Sequence, residues 1–354
     1  MTPLTDVLIR RIASSGPMTI AEYMTTCMLH PEHGYYSTRD PFGAQGDFTT
    51  APEISQMFGE LIGLWLAQCW VDQGRPNPFV LAEAGPGRGT LMADILRVGA
   101  KLPGFREAAQ IVLVEASPHL RDVQRATLQS ENIDWVDAVS ELPDGPLFLV
   151  ANEFFDALPI RQFTRHAAGW QEHNIGVQDG KLTLGLSTAA PVGALDHRLD
   201  DTTPRDIVEI CSPAQTMVQD IAAHIATDGG VALVVDYGDW ESLGDTLQAL
   251  KSHKRDDILA HPGQADLTAH VDFKALAEAA KDVSVTDMVP QGIFLERLGI
   301  TPRAQALAQN MTEATLTSHI SAHRRLTHPD EMGTLFKAIA LYPKTTSTPP
   351  GFEP

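Results

Sequence analysis

Short apolar runs separated by helical patterns dominate the chain from residue 79 onward. The runs are FVLAEAGPG (79–87), AQIVLVEAS (109–117), PLFLVANEFF (146–155), GGVALVVDYG (229–238) and MGTLFKAIALYP (332–343). Near-continuous apolar runs with small or polar residues at their carboxyl ends are typical of buried parallel strands. Strands that alternate with helices predict a doubly wound α/β sheet, whose ligands bind outside the carboxyl ends of the strands.

Helical patterns fill the chain before residue 79. Thr19 and Glu22 match a capping box before one apolar helix face, and Thr50 and Glu53 match the same signature before a long apolar run at helical spacing. We therefore predict an N-terminal helical cap over residues 1–78 that packs on the α/β domain. In this interpretation Thr50 and Glu53 bond to the backbone of their own helix.

The sheet pattern is interrupted in two places. Residues 160–200 alternate apolar and polar positions around QDGK, which is a hairpin signal, and residues 239–300 combine a loop with two helical patterns. The sequence thus predicts one α/β domain over residues 79–343 with insertions at about 160–200 and 239–300. Residues 344–354, rich in Thr and Pro, are predicted to form a flexible tail.

The charge of the chain limits its partners. Its 354 residues include 45 acidic and 26 basic side chains, for a formal net charge of −19. Because nucleic acid and anionic membranes carry the same sign of charge, this excess disfavours both and suits a basic partner. An acidic surface that only keeps the protein soluble is the alternative. No apolar run approaches the ~20 residues of a membrane span.

Cysteine usage and the first helix indicate a compartment. Cys27, Cys69 and Cys211 are odd in number and far apart, which predicts neither a disulfide framework nor a zinc site. The first 17 residues contain two arginines, but Asp6 interrupts them and the apolar positions share one helical stripe. We therefore expect a structural first helix, a cytoplasmic protein and no bound metal.

The first predicted strand ends in EAGPGRGT, which contains Glu83, Gly85, Gly87 and Gly89. Glycines at a strand-to-helix turn let the backbone approach a ligand closely. The dinucleotide pattern G-x-G-x-x-G would place glycine where the chain has Thr90. The spacing resembles instead the first motif of class I S-adenosylmethionine-dependent methyltransferases. Glu83 is then expected at the ammonium group of the cofactor, and the glycines beside its methionine part.

The next two predicted strands end in further acidic residues. Glu115 follows the second strand, where a carboxylate can accept hydrogen bonds from both ribose hydroxyls. Asp137 lies in the segment IDWVDAVSELP (133–143), after a third strand, near the expected position of the adenine amine. We predict both as cofactor-binding residues, although each also fits a solvated strand end.

The fourth predicted strand ends in NEFFDALP, which suits a methyl acceptor. Amide and carboxylate groups at a strand end can accept N–H bonds and orient an acceptor nitrogen. Two carboxylates can bind a guanidinium in bidentate fashion, so Glu153 and Asp156 are predicted to hold it and Asn152 to orient it. The aromatic pair between them either excludes water from the transfer site or belongs to the core.

The ordered motifs of the chain resemble the MidA-type class I methyltransferases. The resemblance rests on the segments GDFTTAPEISQMFGE (46–60), GPGRGTLMADILR (85–97), VEASPHLRDVQ (114–124), NEFFDALP (152–159), DYG (236–238) and DLTAHVDF (266–273). It implies a Rossmann-like, doubly wound, mostly parallel seven-stranded sheet with a helical cap and inserted elements. It also implies S-adenosyl-L-methionine as cofactor, Asp47 near the cofactor or acceptor, and Asp236 and Asp266 on the substrate side.

The resemblance implies an activity as well. For the mitochondrial member, the family implies symmetric dimethylation of an arginine on a complex I subunit. We therefore predict transfer of a methyl group to a protein side-chain nitrogen, most readily an arginine guanidinium. Two alternatives stay open, a non-catalytic assembly factor that binds the cofactor and a methyltransferase of small metabolites. An NAD-dependent dehydrogenase fits least. The sequence leaves the oligomeric state open, with a homodimer as one option.

Overall fold

The computed structural model describes residues 2–38, 43, 46–129 and 132–353. The α-helices in these ranges are α1 (Pro3–Ser15), α2 (Ile20–Leu29), α3 (Tyr35–Thr38), α4 (Ala51–Ile54), α5 (Gln56–Asp72), α6 (Thr90–Gly99), α7 (Phe105–Ala108), α8 (Pro118–Thr127), α9 (Ser212–Asp228), α10 (Phe273–Ala279), α11 (Gln291–Arg297), α12 (Ile300–Ala308), α13 (Glu313–Thr327) and α14 (Met332–Leu335). Across the described ranges, no helix combines the length and the apolar character that crossing a membrane requires.

The strands in the described ranges number seventeen, and five of them lie on the apolar runs that predict strands. They are β1 (Met18–Thr19), β2 (Phe79–Ala84), β3 (Ala109–Val114), β4 (Ile133–Val136), β5 (Leu147–Asn152), β6 (Arg161–His166), β7 (Gly169–Gln178), β8 (Lys181–Leu186), β9 (Ile207–Ile210), β10 (Gly230–Asp239), β11 (Gln248–Lys251), β12 (Lys254–Asp256), β13 (Asp266–Thr268), β14 (Val271–Asp272), β15 (Ser284–Val285), β16 (Val289–Pro290) and β17 (Phe336–Tyr342).

The chain divides into two compact units. Unit 1 takes its described residues from Met1–Phe48, Asp156–Ala214 and Glu241–His270, and unit 2 takes the described remainder. The structure thus corrects the predicted boundary of the helical cap, which falls after Phe48 rather than at residue 78. The cause is that α4 and α5 pack into the core of unit 2.

Unit 2 is built on a mostly parallel sheet with the order β15-β17-β10-β5-β2-β3-β4. Strands β10, β5, β2, β3 and β4 run parallel, whereas β17 is antiparallel to β10. Among the described residues the sheet has nine strands, because β14 also pairs with β10 and β16 with β17. The predicted doubly wound α/β organisation is present, but the described residues contribute nine paired strands to the sheet, rather than the expected seven.

Two glycines allow α5 and α6 to pack closely against each other. A Cβ atom on Gly59 would lie 2.6 Å from the Asp94 Cβ, and one on Gly63 would lie 2.9 Å from the Ile95 Cα. The carboxylate of Glu60, one residue beyond Gly59, accepts hydrogen bonds from Arg97 at 3.0 Å and from Arg303 at 2.8 Å. Although burial acts to raise the pKa of Glu60, these hydrogen bonds lower it below its usual value.

The predicted flexible tail is wrong as far as residue 353. Phe352 is only 5% exposed and its ring packs against Phe294 and Trp65. The indole nitrogen of Trp65 donates to the Pro350 carbonyl at 2.8 Å. Burial of one aromatic ring contributes ~2 kcal/mol toward holding this terminal segment against the core.

The start of the helix after GDFTT also differs from the prediction. Helix α4 begins at Ala51, but in the described part of the chain the Thr50 side chain makes no capping hydrogen bond. The helix stops after one turn at Ser55, whose side chain accepts from the Met57 N–H and caps α5. The capping role predicted for Thr50 therefore belongs to Ser55, while Glu53 bonds outside its own helix.

The described residues of unit 1 form two antiparallel sheets, which combine strands from both predicted insertions with β1 and β9. In one, β1, β7, β6 and β9 lie side by side and β8 pairs with β7; in the other, β11 lies between β12 and β13. The hairpin predicted around QDGK joins β7 and β8. Apolar residues of α1 and α2 form one core with residues of these sheets.

Candidate active site

The turn after β2 has the backbone conformation that its glycines predict. Gly85, Gly87 and Gly89 have φ values of +64°, +53° and +82°, in the left-handed region where side chains are strained. A Cβ atom on Gly85 would lie 2.4 Å from the Cδ2 atom of Phe154. The turn therefore tolerates only glycine at this position, and it leads directly into α6, whose N-cap is Gly89.

Glu83 lies inside the sheet immediately before this turn. Its side chain is buried, and the backbone N–H of Met92 acts to lower its pKa against the effect of burial. The Oε2 atom has no hydrogen-bond partner among the residues that the structure describes. Burial raises the pKa of this carboxyl to about 8. A buried acceptor without a donor suits an ammonium group, which is the group the sequence predicts here.

Glu115 follows β3, the strand next to β2, as predicted. One carboxylate oxygen accepts from the Ser117 N–H at 2.8 Å, and the other accepts from the side-chain nitrogen of Gln124 at 3.1 Å. Burial raises the pKa of Glu115, and these hydrogen bonds oppose the shift. The carboxylate is thus held in one orientation at the carboxyl edge of the sheet.

Gln124 is a residue of this site that the sequence interpretation did not identify. It is completely buried on α8, and its side-chain nitrogen also donates to the Gly87 carbonyl at 2.9 Å. Its oxygen accepts from the Trp135 indole at 2.8 Å. The sequence signal that could have identified Gln124 is its position on the buried face of α8. A polar side chain at such a position must find hydrogen-bond partners inside the protein.

The other two predicted cofactor residues have different surroundings. Asp137 follows β4, but its side chain is 72% exposed and forms an ion pair with Arg121 at 2.6 Å. Asp47 belongs to unit 1, where its carboxylate accepts from the Tyr35 hydroxyl at 2.7 Å and from the Ser252 N–H at 2.6 Å. Cofactor binding by these two residues stays a prediction.

Of the predicted acceptor residues, Asn152 ends β5 and Glu153 directly follows it; β5 is also a neighbour of β2. Glu153 has a φ of +52°, a conformation that is uncommon for a non-glycine residue and frequent at functional sites. Its Oε1 atom accepts from the Ala51 N–H at 2.7 Å and from the Asn152 side chain at 3.1 Å. The Oδ1 atom of Asn152 is buried and has no partner in the described ranges.

Asp236, at the end of β10, holds the segment that follows Glu153. Its buried carboxylate accepts from the backbone N–H groups of Phe154 at 3.1 Å and Phe155 at 2.9 Å, and from that of Tyr237 at 2.9 Å. The Glu153 N–H donates to the Val235 carbonyl at 2.9 Å. The structure thus places Asp236 against the acceptor segment and shows it bonded to backbone.

Asp156 is the first residue of the second segment of unit 1, and it is buried there. The negative charges of Asp156 and Asp47 disfavour the ionised form of Asp266. The carboxyl group of Asp266 accepts a hydrogen bond from the Tyr36 hydroxyl at 3.1 Å. Burial and these neighbouring carboxylates raise the pKa of Asp266 to about 8. The joint binding of a guanidinium by Glu153 and Asp156 stays a prediction.

The donor set of unit 2 fits S-adenosylmethionine better than a metal. No group of His, Cys, Asp and Glu in the described residues could hold a metal ion. By contrast, an unpartnered carboxylate oxygen on Glu83, a glycine turn without room for a Cβ, and the oriented Glu115 lie at the ends of neighbouring strands. These are the groups that an ammonium, a methionine chain and a ribose require.

Curated relatives of the chain are arginine methyltransferases. The protein arginine methyltransferase NDUFAF7 of Xenopus laevis is 37% identical over 96% of this chain and 84% of its own length. The human protein of the same name is 36% identical over 97% of this chain and 84% of its own length. The Drosophila melanogaster homolog is 37% identical over 94% of this chain and 83% of its own length. All three names include the word mitochondrial, which contradicts the cytoplasmic location expected from the cysteines and the first helix.

Solved structures agree with this similarity. A Burkholderia thailandensis protein crystallised with S-adenosyl-homocysteine is 27% identical, with a TM-score of 0.82 over 99% of this chain and 92% of that one. A native structure of a protein from the same organism is 28% identical to this chain. Its TM-score is 0.82 over 99% of this chain and 94% of that one.

A family model described as "Putative S-adenosyl-L-methionine-dependent methyltransferase" matches residues 61–290. This range contains the glycine turn, Glu115 and the acceptor segment. The chain therefore belongs to this family of methyltransferases, and its cofactor is S-adenosyl-L-methionine.

Proposed function

We propose that the protein transfers methyl groups from S-adenosylmethionine to a guanidinium nitrogen of an arginine in another protein. The observation that carries the proposal is the contact between Phe154 and Gly85, where the aromatic ring occupies the space of a Cβ atom. The acceptor segment after β5 therefore packs directly on the cofactor turn after β2. The names of the relatives, which are arginine methyltransferases, support arginine as the acceptor.

Glu153 and Asn152 supply the chemistry of the acceptor side in this proposal. The cofactor provides a methyl group on a sulfonium sulfur, and transfer forms a C–N bond as the C–S bond breaks. The acceptor nitrogen must also lose a proton. Glu153, which Ala51 and Asn152 hold in one orientation, is proposed to accept guanidinium N–H bonds and this proton. The buried Oδ1 atom of Asn152 is proposed to orient the same group.

The finer parts of the proposal concern the protein substrate. A net charge of −19 favours a cationic acceptor sequence over an acidic one. The family resemblance supports a complex I subunit as the substrate. Asp156 is proposed from the sequence as the second carboxylate for the guanidinium. A class I methyltransferase fold for unit 2 is supported by its parallel strands and by the two solved relatives.

Labelled methyl transfer in a lysate tests the proposal. The purified protein is incubated with lysate from cells lacking it and with deuterated-methyl S-adenosylmethionine, and peptides are analysed by mass spectrometry. We expect labelled dimethylarginine on few proteins. Glu153→Gln should lose the label while still binding S-adenosylhomocysteine, and Glu278→Gln, at an exposed position of α10, should retain the label. Label on lysine or on small metabolites would refute arginine as the acceptor.

A further inference from the structure

The one-turn helix α4 is hydrogen bonded to both sides of the site. At its first residue, the Ala51 N–H donates to Glu153 Oε1 at 2.7 Å. At its third residue, Glu53 accepts from the hydroxyl of Thr90 at 2.5 Å. Thr90 is the first residue of α6 and directly follows Gly89 of the cofactor turn. A single turn of helix thus connects the cofactor turn to the acceptor carboxylate.

The charge on Glu53 strengthens its link to the cofactor turn. Its other oxygen lies 3.8 Å from the guanidinium of Arg88, a residue within the turn, and the Glu53 side chain is only 19% exposed. Hydrogen bonds to an ionised carboxylate are shorter and stronger than those between neutral groups. Glu53 is therefore held by two side chains that flank Gly89, those of Arg88 and Thr90.

Helix α4 packs on the core of unit 2 through the buried Ala51, and its polar contacts lead to both sides of the site. Thr50 makes no capping hydrogen bond in the described part of the chain, and the helix is interrupted at Ser55, where α5 begins. The bonds to Glu153 and Thr90 replace a local cap. A shift of the turn between Gly85 and Thr90 would consequently move Glu53, and with it the Ala51 N–H that orients Glu153.

We propose that α4 couples the two halves of the site, with Glu53 as a positioning residue that transmits cofactor binding to Glu153. The inference rests on the proposed role of Glu153 in holding the acceptor. In the protein without cofactor, the turn and α4 move together; with cofactor bound, the turn is fixed, and Glu153 is held in its transfer orientation through Thr90, Glu53 and Ala51. Such coupling is reciprocal, so a change at Glu153 also alters the affinity for the cofactor.

Hydrogen exchange with S-adenosylhomocysteine tests the coupling without any methyl acceptor. The amides of Ala51, Glu53 and Ile54 and those of residues 153–155 are followed by mass spectrometry with and without saturating ligand. In the unmodified protein we expect the ligand to slow exchange in both segments by about tenfold, because binding removes local opening. Thr90→Val, which removes the hydroxyl at nearly constant volume, should reduce the slowing in 153–155 and weaken ligand binding by about tenfold.

Thr90→Ser is the matched control, because it keeps the hydroxyl and should behave like the unmodified protein. Glu53→Met tests the same link from the other side, and it replaces Thr90→Val if that variant fails to fold. Equal slowing in 153–155 for Thr90→Val or Glu53→Met and for the unmodified protein would overturn the proposal, since the acceptor segment would then respond to ligand without α4. The absence of arginine methylation would overturn only the proposed function, because neither measurement uses an acceptor.

Discussion

The side-chain amide of Gln124 donates a hydrogen bond to the carboxylate of Glu115 at 3.1 Å. The same nitrogen donates to the Gly87 carbonyl at 2.9 Å, so one buried side chain joins the residues expected at the ribose and at the methionine part of the cofactor. These two groups come from segments that are 28 residues apart in the sequence. Their spacing therefore depends on Gln124.

Replacement of Gln124 by methionine is expected to damage both stability and cofactor binding. Methionine has a similar volume, but it leaves the Glu115 carboxylate and the Trp135 N–H without this partner. Each such loss costs about 1–3 kcal/mol of unfolding free energy. Calorimetry should show weaker S-adenosylhomocysteine binding and a lower melting temperature. The control Gln110→Met, on the exposed side of β3, should change neither; equal effects in the two variants would contradict a specific role for Gln124.

Gly85 and Gly74 offer a matched pair for the glycine turn. Both have positive φ, +64° and +83°, so alanine is strained by about 1–2 kcal/mol at either position. Only at Gly85 would the new Cβ collide with another ring, that of Phe154, whereas at Gly74 it meets nothing in the described structure. We expect Gly85→Ala to lose ligand binding in a titration and Gly74→Ala to retain it. Normal binding by both variants would mean that the turn accommodates a side chain.

The raised pKa of Glu83 predicts a proton release on ligand binding. The folded-state pKa of about 8 lies above the usual 4.5, so the folded protein holds more protons than the unfolded chain between these values. Stability should therefore decrease as the pH rises through this window. A ligand ammonium group beside Glu83 favours the ionised carboxylate. Calorimetric titrations of S-adenosylhomocysteine near pH 7, in buffers of different ionisation enthalpy, should therefore show a proton released.

Glu83→Gln provides the control for that experiment. The glutamine side chain keeps the shape of the carboxyl but cannot titrate, so the dependence of binding enthalpy on buffer should disappear. The decrease in stability between pH 5 and pH 8 should become smaller in the same variant. An unchanged proton release would assign the proton to another group.

Asp236→Asn is expected to loosen the acceptor segment while leaving the cofactor turn intact. The carboxylate accepts backbone N–H groups of Phe154, Phe155 and Tyr237, and an amide must present a donor to at least one of them. We expect a loss of about 1–3 kcal/mol in unfolding free energy and reduced methyl transfer, with a smaller effect on ligand affinity. Asp282→Asn, at an exposed position, should leave all three quantities unchanged.

The local parts of the fold were predictable because they depend on short-range patterns. The apolar runs located β2, β3, β5, β10 and β17, and Thr19 and Glu22 form the predicted capping box. The signature at Thr50 and Glu53 predicted the wrong partners, because Glu53 finds Thr90 and Arg88 in the folded chain. Tertiary hydrogen bonds with charged groups outweigh a local cap of similar geometry.

The sequence by itself determined the order of the strands along the chain, the glycine turn after β2 and the residue types at the carboxyl ends of the strands, because each follows from periodicity and backbone conformation. Only the tertiary structure decided which residues of those ends meet. It assigned Asp236 to the backbone of Phe154 and Phe155, joined Gly87 to Glu115 through Gln124, and packed Phe352 into the core. These contacts join segments distant in the sequence, and burial and hydrogen-bond satisfaction select them only when the whole chain is folded.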